Sequence, residues 1–177
     1  MNHESKLRVI IDCNVLLVAA AKPSSTGAAC LWLARSGYVR LFLSADVCAE
    51  IADVLNRPKV RATFGTLTDE VINAFLDQLS QVGEFVALVP KKFSYSRDPD
   101  DEPYINLAGA VAAHYLVSRD QDLLSLNTGH TTECKQFRQQ FRPLKVIEPL
   151  DFLRLIAQTR KVTVSELRAE HERKTAS

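Results

Sequence analysis

Four acidic residues stand where a strand-like run gives way to the next element. Asp12 follows the apolar run Val9-Ile10-Ile11, and Asp120 follows Tyr115-Leu116-Val117-Ser118-Arg119. Asp101 lies at the head of a helix beginning at Tyr104, and Glu50 sits in the first turns of a helix after the run Val39 to Leu43. The gaps between them are 38, 51 and 19 residues. A sheet that sets those strands side by side brings the four carboxylates into one cleft, where like charges raise each other's pKa unless a cation neutralises them. Oxygen-only ligands suit Mg²⁺ or Mn²⁺, which keep coordination positions open for water and phosphate oxygens. The chemistry such a centre supports is in-line displacement at a phosphodiester.

Each acid also has an ordinary role. An Asp after a strand commonly caps the next helix, as Asp12, Asp120 or Asp122 would. A lone helical glutamate such as Glu50 is usually solvated, although its place one residue before Ile51 and three after Val47 turns it toward the edge of the packed face. The acids of Arg97-Asp98-Pro99-Asp100-Asp101-Glu102-Pro103 suit turns and caps, or a weak calcium loop. Coordinated placement, not any one residue, favours a site.

The elements that must position them follow from pattern. Leu7 to Ile11, Val39 to Leu43, Phe85 to Val89, Tyr115 to Val117 and Lys145 to Ile147 are short apolar runs that suit buried parallel strands. Between them, helices are expected over Asn14 to Ala20, Thr26 to Ala34, the stretch after Ser44, Val60 to Phe64, Val71 to Leu79, Tyr104 to Ala113, Leu123 to Leu126 and Pro149 to Ala157. Ser25 or Thr26, Ser44 and Thr68 are the expected caps. Residues 90–103 carry three prolines and four acids without periodicity and form a long loop, while 129–142 show no clear pattern. Strands alternating with helices predict a three-layer α/β/α sandwich with a mostly parallel sheet, whose ligands gather beyond the strands' carboxyl ends.

The 177 residues suit one domain, taken as 1–157, with a polar tail over 158–177 that is mobile or helical. Twenty-two Lys and Arg against 21 Asp and Glu leave a net charge of +1, so any polyanion site is local. No apolar run reaches the roughly 20 residues that span a bilayer, and Met1 to Arg8 lacks a signal peptide's apolar core, so a cytoplasmic protein without a membrane partner is expected. Cys13, Cys30, Cys48 and Cys134 are widely spaced, and His3, His114, His130 and His171 lack metal-ligand spacing, which argues against disulfide, zinc or histidine chemistry.

The segments IIDCNVLL, LSADVCAEIADVLNRPKVR, RDPDDEPYINLAGAVAAHYLVSRDQDLLSL and VIEPLDFL, in that order, resemble a PIN domain over about Leu7 to Ile156. They are most similar to the bacterial branch of toxin–antitoxin toxins related to VapC-like ribonucleases. The resemblance implies a three-layer fold and a Mg²⁺ or Mn²⁺ dependent ribonuclease acting on RNA, with Asp12, Glu50, Asp101 and Asp120 as metal-holding, catalytic acids. Asn14 and Ser118 match polar positions that orient water or the carboxylates, Ser118 standing where Thr is more usual. Asp98 and Asp100 compete with Asp101 for its role, and Asp122 with Asp120. The resemblance also implies a homodimer and a cognate antitoxin that covers the cleft.

Local groups of basic residues occur at Arg57, Lys59 and Arg61, at Lys91, Lys92 and Arg97, and at Lys135, Arg138, Arg142 and Lys145. Most suit a solvated surface, and Arg97 and Arg119, beside the cleft, are the candidates for RNA-backbone contact. Two other readings keep the fold: an RNA- or protein-binding module without catalysis, and a nuclease of RNA or DNA processing unconnected with toxicity.

Overall fold

The computed structural model describes residues 6–176. Strand β1 (Arg8–Ile11) is continuously apolar because both of its faces are covered, with Val9, Ile10 and Ile11 all buried. Helices α1 (Cys13–Ala21) and α2 (Thr26–Arg35) follow, and the Ser25 hydroxyl accepts the Ala28 amide as the cap of α2. Strand β2 (Arg40–Ser44) runs into α3 (Ala45–Asn56), capped by Ser44 itself. Pro58 opens α4 (Pro58–Thr63), and Thr68 caps α5 (Asp69–Val82), which leads into β3 (Glu84–Val86). After a long loop and a 3₁₀ turn at Pro99–Asp101 come α6 (Glu102–Ala110), β4 (Tyr115–Val117) and α7 (Gln121–Ser125). The chain ends with α8 (Thr132–Gln140), β5 (Lys145–Ile147), α9 (Pro149–Arg160) and α10 (Val164–Thr175).

All strand pairings are parallel, in the order β3-β2-β1-β4-β5. Val9 lies between Leu41 and Tyr115, and Ile11 lies opposite Val117. The chain therefore leaves the central β1 for β2 and β3 on one side and returns to build β4 and β5 on the other. The carboxyl ends of β1 and β4 flank this reversal, the crevice where open α/β sheets bind ligands. Backbone pairing continues past the strand ends: the Asp12 amide donates to the Val117 carbonyl at 2.9 Å, and that of Ser118 to Ile147 at 3.0 Å. Helix α6 lies over β1, β2 and β4, while α2 packs between α1 and α9. The architecture is the α/β sandwich that the alternation of strands and helices predicts.

Three local expectations need correction. Strand β3 is Glu84–Val86 rather than Phe85 to Val89: it pairs only with β2, ends opposite Ser44, and leaves Phe85 and Leu88 exposed at the sheet edge. Helix α6 stops at Ala110, three residues early, because Ala112 adopts φ 47°, a left-handed conformation that no α-helix accepts. The patternless stretch after Gly129 contains α8, capped by Thr131.

Beyond residue 157 the chain continues through the end of α9 into α10, which packs on α2 and α9. The Tyr38 hydroxyl and the Arg160 guanidinium both donate to Glu170, Leu167 is buried, and the His171 ring lies 5.7 Å from that of Trp32. Among the described residues no single helix is long and apolar enough to cross a membrane.

Candidate metal centre

Asp12 stands at the N-cap position of α1, yet its side chain makes no capping bond. Its Oδ2 instead accepts the Ser118 hydroxyl at 2.8 Å, and the same hydroxyl oxygen accepts the Asp120 amide at 2.9 Å. One hydroxyl, fully buried between β1 and β4, thus ties together the strand ends that carry two of the acids. Asp120 does cap its helix: Oδ1 accepts the amides of Asp122 and Leu123 at 2.7 and 3.4 Å. Capping occupies one oxygen and leaves the other, so the ordinary role and a site role coexist in one carboxylate.

Asp101 joins the 3₁₀ turn to α6, is 7% exposed, and its Oδ2 is buried without a hydrogen-bond partner. Asp98 opens the same turn, accepting the Asp100 amide on Oδ1 at 3.1 Å. One carboxylate oxygen from each of Asp98, Asp101 and Asp120 lies within 4.8 Å of the other two. Glu50, on α3, is half-buried, with Oε2 also buried and without a hydrogen-bond partner.

The protonation energetics register this convergence. Burial pushes Asp101 up to about 8, and the charges of Asp98, Asp12, Asp120 and Glu50 add to it in that order. Burial likewise raises Asp12 to about 6, with the Ser118 hydrogen bond opposing and Asp120 and Glu50 reinforcing. Cys13, behind the cluster, is pushed up to about 12 by burial and by the charges of Glu50 and Asp12. The buried Tyr104 phenol beside it is raised well above its ordinary range, by burial first and then by Cys13 and Glu50.

Elements on two sides fasten the loop that carries these acids. Asn106 of α6 accepts the amides of Lys92 and Phe93 and donates to the carbonyls of Phe93 and Glu102. Glu102 accepts the Tyr95 amide, and the Tyr95 hydroxyl donates to the Asp122 carbonyl. Across the loop, α8 packs Phe137 edge-on to Phe93, with Phe141 just beyond it, while Glu133 accepts both the amide and the hydroxyl of Ser96.

Of the four acids singled out in the sequence, Asp101 and Asp120 share the 4.8 Å cluster with Asp98; Asp12 is tied to the Asp120 backbone through the Ser118 hydroxyl, and Glu50 acts on Asp101 through its charge. Asn14 is exposed on the first turn of α1. Arg97 turns to Asp122, 2.8 Å away, and the exposed Arg119 exerts its charge on Cys30 of α2. Arg57, bonded to Asp53, is the basic residue whose charge is felt together with that of Glu50 at Cys13. The Asn106 clasp and Tyr104 escaped sequence reasoning, since an Asn and a Tyr inside an apolar helix carry no spacing signal.

The donor set is all oxygen, and its buried, unpaired carboxylate oxygens have the protein's own charges against them. A divalent cation fits such a group. Residues 8–122 match the PIN domain family. The chain is also similar to an uncharacterized protein of Methanocaldococcus jannaschii, 30% identical over 149 residues that cover 84% of this chain and 90% of that protein. With a parallel sheet that gathers acids at its switch point and a family match over most of its length, the chain belongs to the PIN domain family.

Proposed function

We propose that the protein is a metal-dependent endoribonuclease that hydrolyses RNA phosphodiesters, the toxin of a toxin–antitoxin pair. The observation that carries the nuclease reading is the cluster of Asp98, Asp101 and Asp120, with carboxylate oxygens within 4.8 Å of one another and a buried Asp101 Oδ2 that has no hydrogen-bond partner. In this reading Asp12, Glu50, Asp101 and Asp120 hold Mg²⁺ or Mn²⁺. The cation, when bound, supplies positive charge to the phosphodiester oxygens and lowers the pKa of an attacking water.

The chain's residues do the rest. Ser118 fixes the relative position of Asp12 and Asp120, so the site is preorganised in two of its corners. The bare acidic cluster repels a polyanion, so its charge must be compensated before a phosphodiester approaches. Arg119 and Arg57 offer contacts to flanking phosphates, and Arg97 does so from its pairing with Asp122. The toxin assignment, the homodimer, the cognate antitoxin and the cytoplasmic setting rest on the resemblance of the four sequence segments to that branch of the family.

The test is incubation of labelled single-stranded RNA, hairpin RNA and DNA with the protein in Mg²⁺, Mn²⁺ or EDTA. Metal-dependent cutting of RNA is expected. Cutting of DNA alone would replace the ribonuclease by a DNA-processing enzyme, and no cutting with any metal would leave a binding module.

A further inference from the structure

Asp98 has a complete explanation as a turn residue: its Oδ1 caps the 3₁₀ turn by accepting the Asp100 amide. That explanation leaves its second oxygen without a task. One oxygen of its carboxylate lies with one each from Asp101 and Asp120, all within 4.8 Å of one another. Asp120 has the same division, one oxygen capping α7 and the other free, and Asp101 has a buried oxygen with no partner at all. No lysine or arginine pairs with these three acids in the ion pairs seen among the described residues; Arg97, next to Asp98 in the chain, is committed to Asp122.

Resting on the nuclease reading above, we propose that Asp98 is itself a cation ligand, and that with Asp101 and Asp120 it forms a cation position on the solvent side of Asp12. Asp98 and Asp120 are half-buried whereas Asp12 is 3% exposed, which sets this position outward of the Asp12 carboxylate. Oxygens on one octahedral Mg²⁺ stand about 2.9 Å apart when adjacent and about 4.2 Å apart when opposite, so three oxygens already within 4.8 Å of one another come onto one ion by side-chain rotation. The strapping of the loop to α6 and α8 then has a purpose: a ligand carried at the end of the long loop between β3 and the 3₁₀ turn needs its backbone fixed from both sides.

Asp98→Asn separates the two roles, because the amide oxygen still caps the Asp100 amide while the ligating charge is lost. Mn²⁺ binding to the full chain, without nucleic acid, is followed by calorimetry and by the electron paramagnetic resonance of free Mn²⁺. Asp98→Asn is expected to weaken binding about tenfold or more, while the melting temperature in EDTA is retained. Asp100→Asn, which removes the same charge from an exposed position of the same turn, is expected to change it less than about twofold, as screening of an exposed charge requires. Equal losses in the two variants would reduce Asp98 to a long-range charge, and unchanged binding in Asp98→Asn would return it to a cap. Either result overturns the proposal. If Asp12→Asn abolishes Mn²⁺ binding while Asp98→Asn does not, the nuclease reading stands and this inference alone falls. A parent protein that binds no Mn²⁺ refutes both.

Discussion

Ser118 joins acids that the sequence separates by 108 positions, and its hydroxyl acts as donor to one and acceptor from the other. Ser118→Ala removes both bonds and leaves a buried carboxylate short of a partner, a change worth about 1–3 kcal/mol. The expected outcome is a weaker Mn²⁺ isotherm and a lower urea midpoint. The raised acids make a second, signed prediction. Asp12 and Asp101 hold protons in the folded chain up to about 6 and about 8, whereas both lose them near the ordinary aspartate value of 3.8 when unfolded. Between these limits the folded state binds more protons, so their contribution to stability is full below about pH 4 and is lost as pH rises toward 8. In EDTA, parent and Asp101→Asn are therefore expected to diverge with rising pH, the variant melting progressively higher than the parent. Added Mn²⁺ reverses the parent's trend, because ligation needs the deprotonated acids. At this scale the meeting of Asp101 with Asp120 was legible, because each stands at the start of a helix at the sheet's carboxyl edge. Asp98 was not separable from Asp100 and Asp101, since an acid in a Pro-containing turn gives the same sequence signal whether it caps, ligates or does both.

At the scale of elements, the strands were legible from their apolar runs, but the segment 127–142 was not. In α8 only Cys134 and Phe137 are buried, with Phe141 just past its end, a stripe too narrow to stand out in a polar sequence. Its purpose appears only in three dimensions, where Phe137 and Phe141 grip Phe93 while Asn106 holds the same loop from α6. Asn106→Ala frees the amides of Lys92 and Phe93 and should loosen the loop locally rather than unfold the chain. Faster amide exchange across residues 92–98, with a weaker Mn²⁺ affinity, is the expected result; unchanged exchange there would mean α8 alone holds the loop. A different constraint acts between α1 and α2, where a Cβ on Gly27 would meet the Val15 carbonyl oxygen at 2.7 Å. Gly27→Ala must push these packed helices apart, and a loss of about 1–3 kcal/mol in a denaturant melt is expected.

For the whole molecule, the all-parallel order β3-β2-β1-β4-β5 sets Asp12 at the carboxyl edge beside β4, where Ser118 links it to Asp120 of the acidic cluster 108 positions away, and composition alone, at +1 net charge, gives no sign of it. The alternation of strand and helix made that architecture readable, whereas the packing of α10 on Trp32 was not, because its sequence is polar apart from Leu167 and a few small apolar residues. If these carboxylates hold the cation that makes the chain a ribonuclease, removing one ligand charge must stop cleavage without unfolding the protein. The most direct measurement is single-turnover cleavage of one labelled RNA in Mn²⁺ by the parent and by Asp12→Asn, whose amide oxygen still accepts the Ser118 hydroxyl. The predicted result is cleavage by the parent that EDTA abolishes, and none by the variant, with the two chains matching in far-ultraviolet circular dichroism. Cleavage by a folded Asp12→Asn at the parent's rate would contradict the metal-centre mechanism.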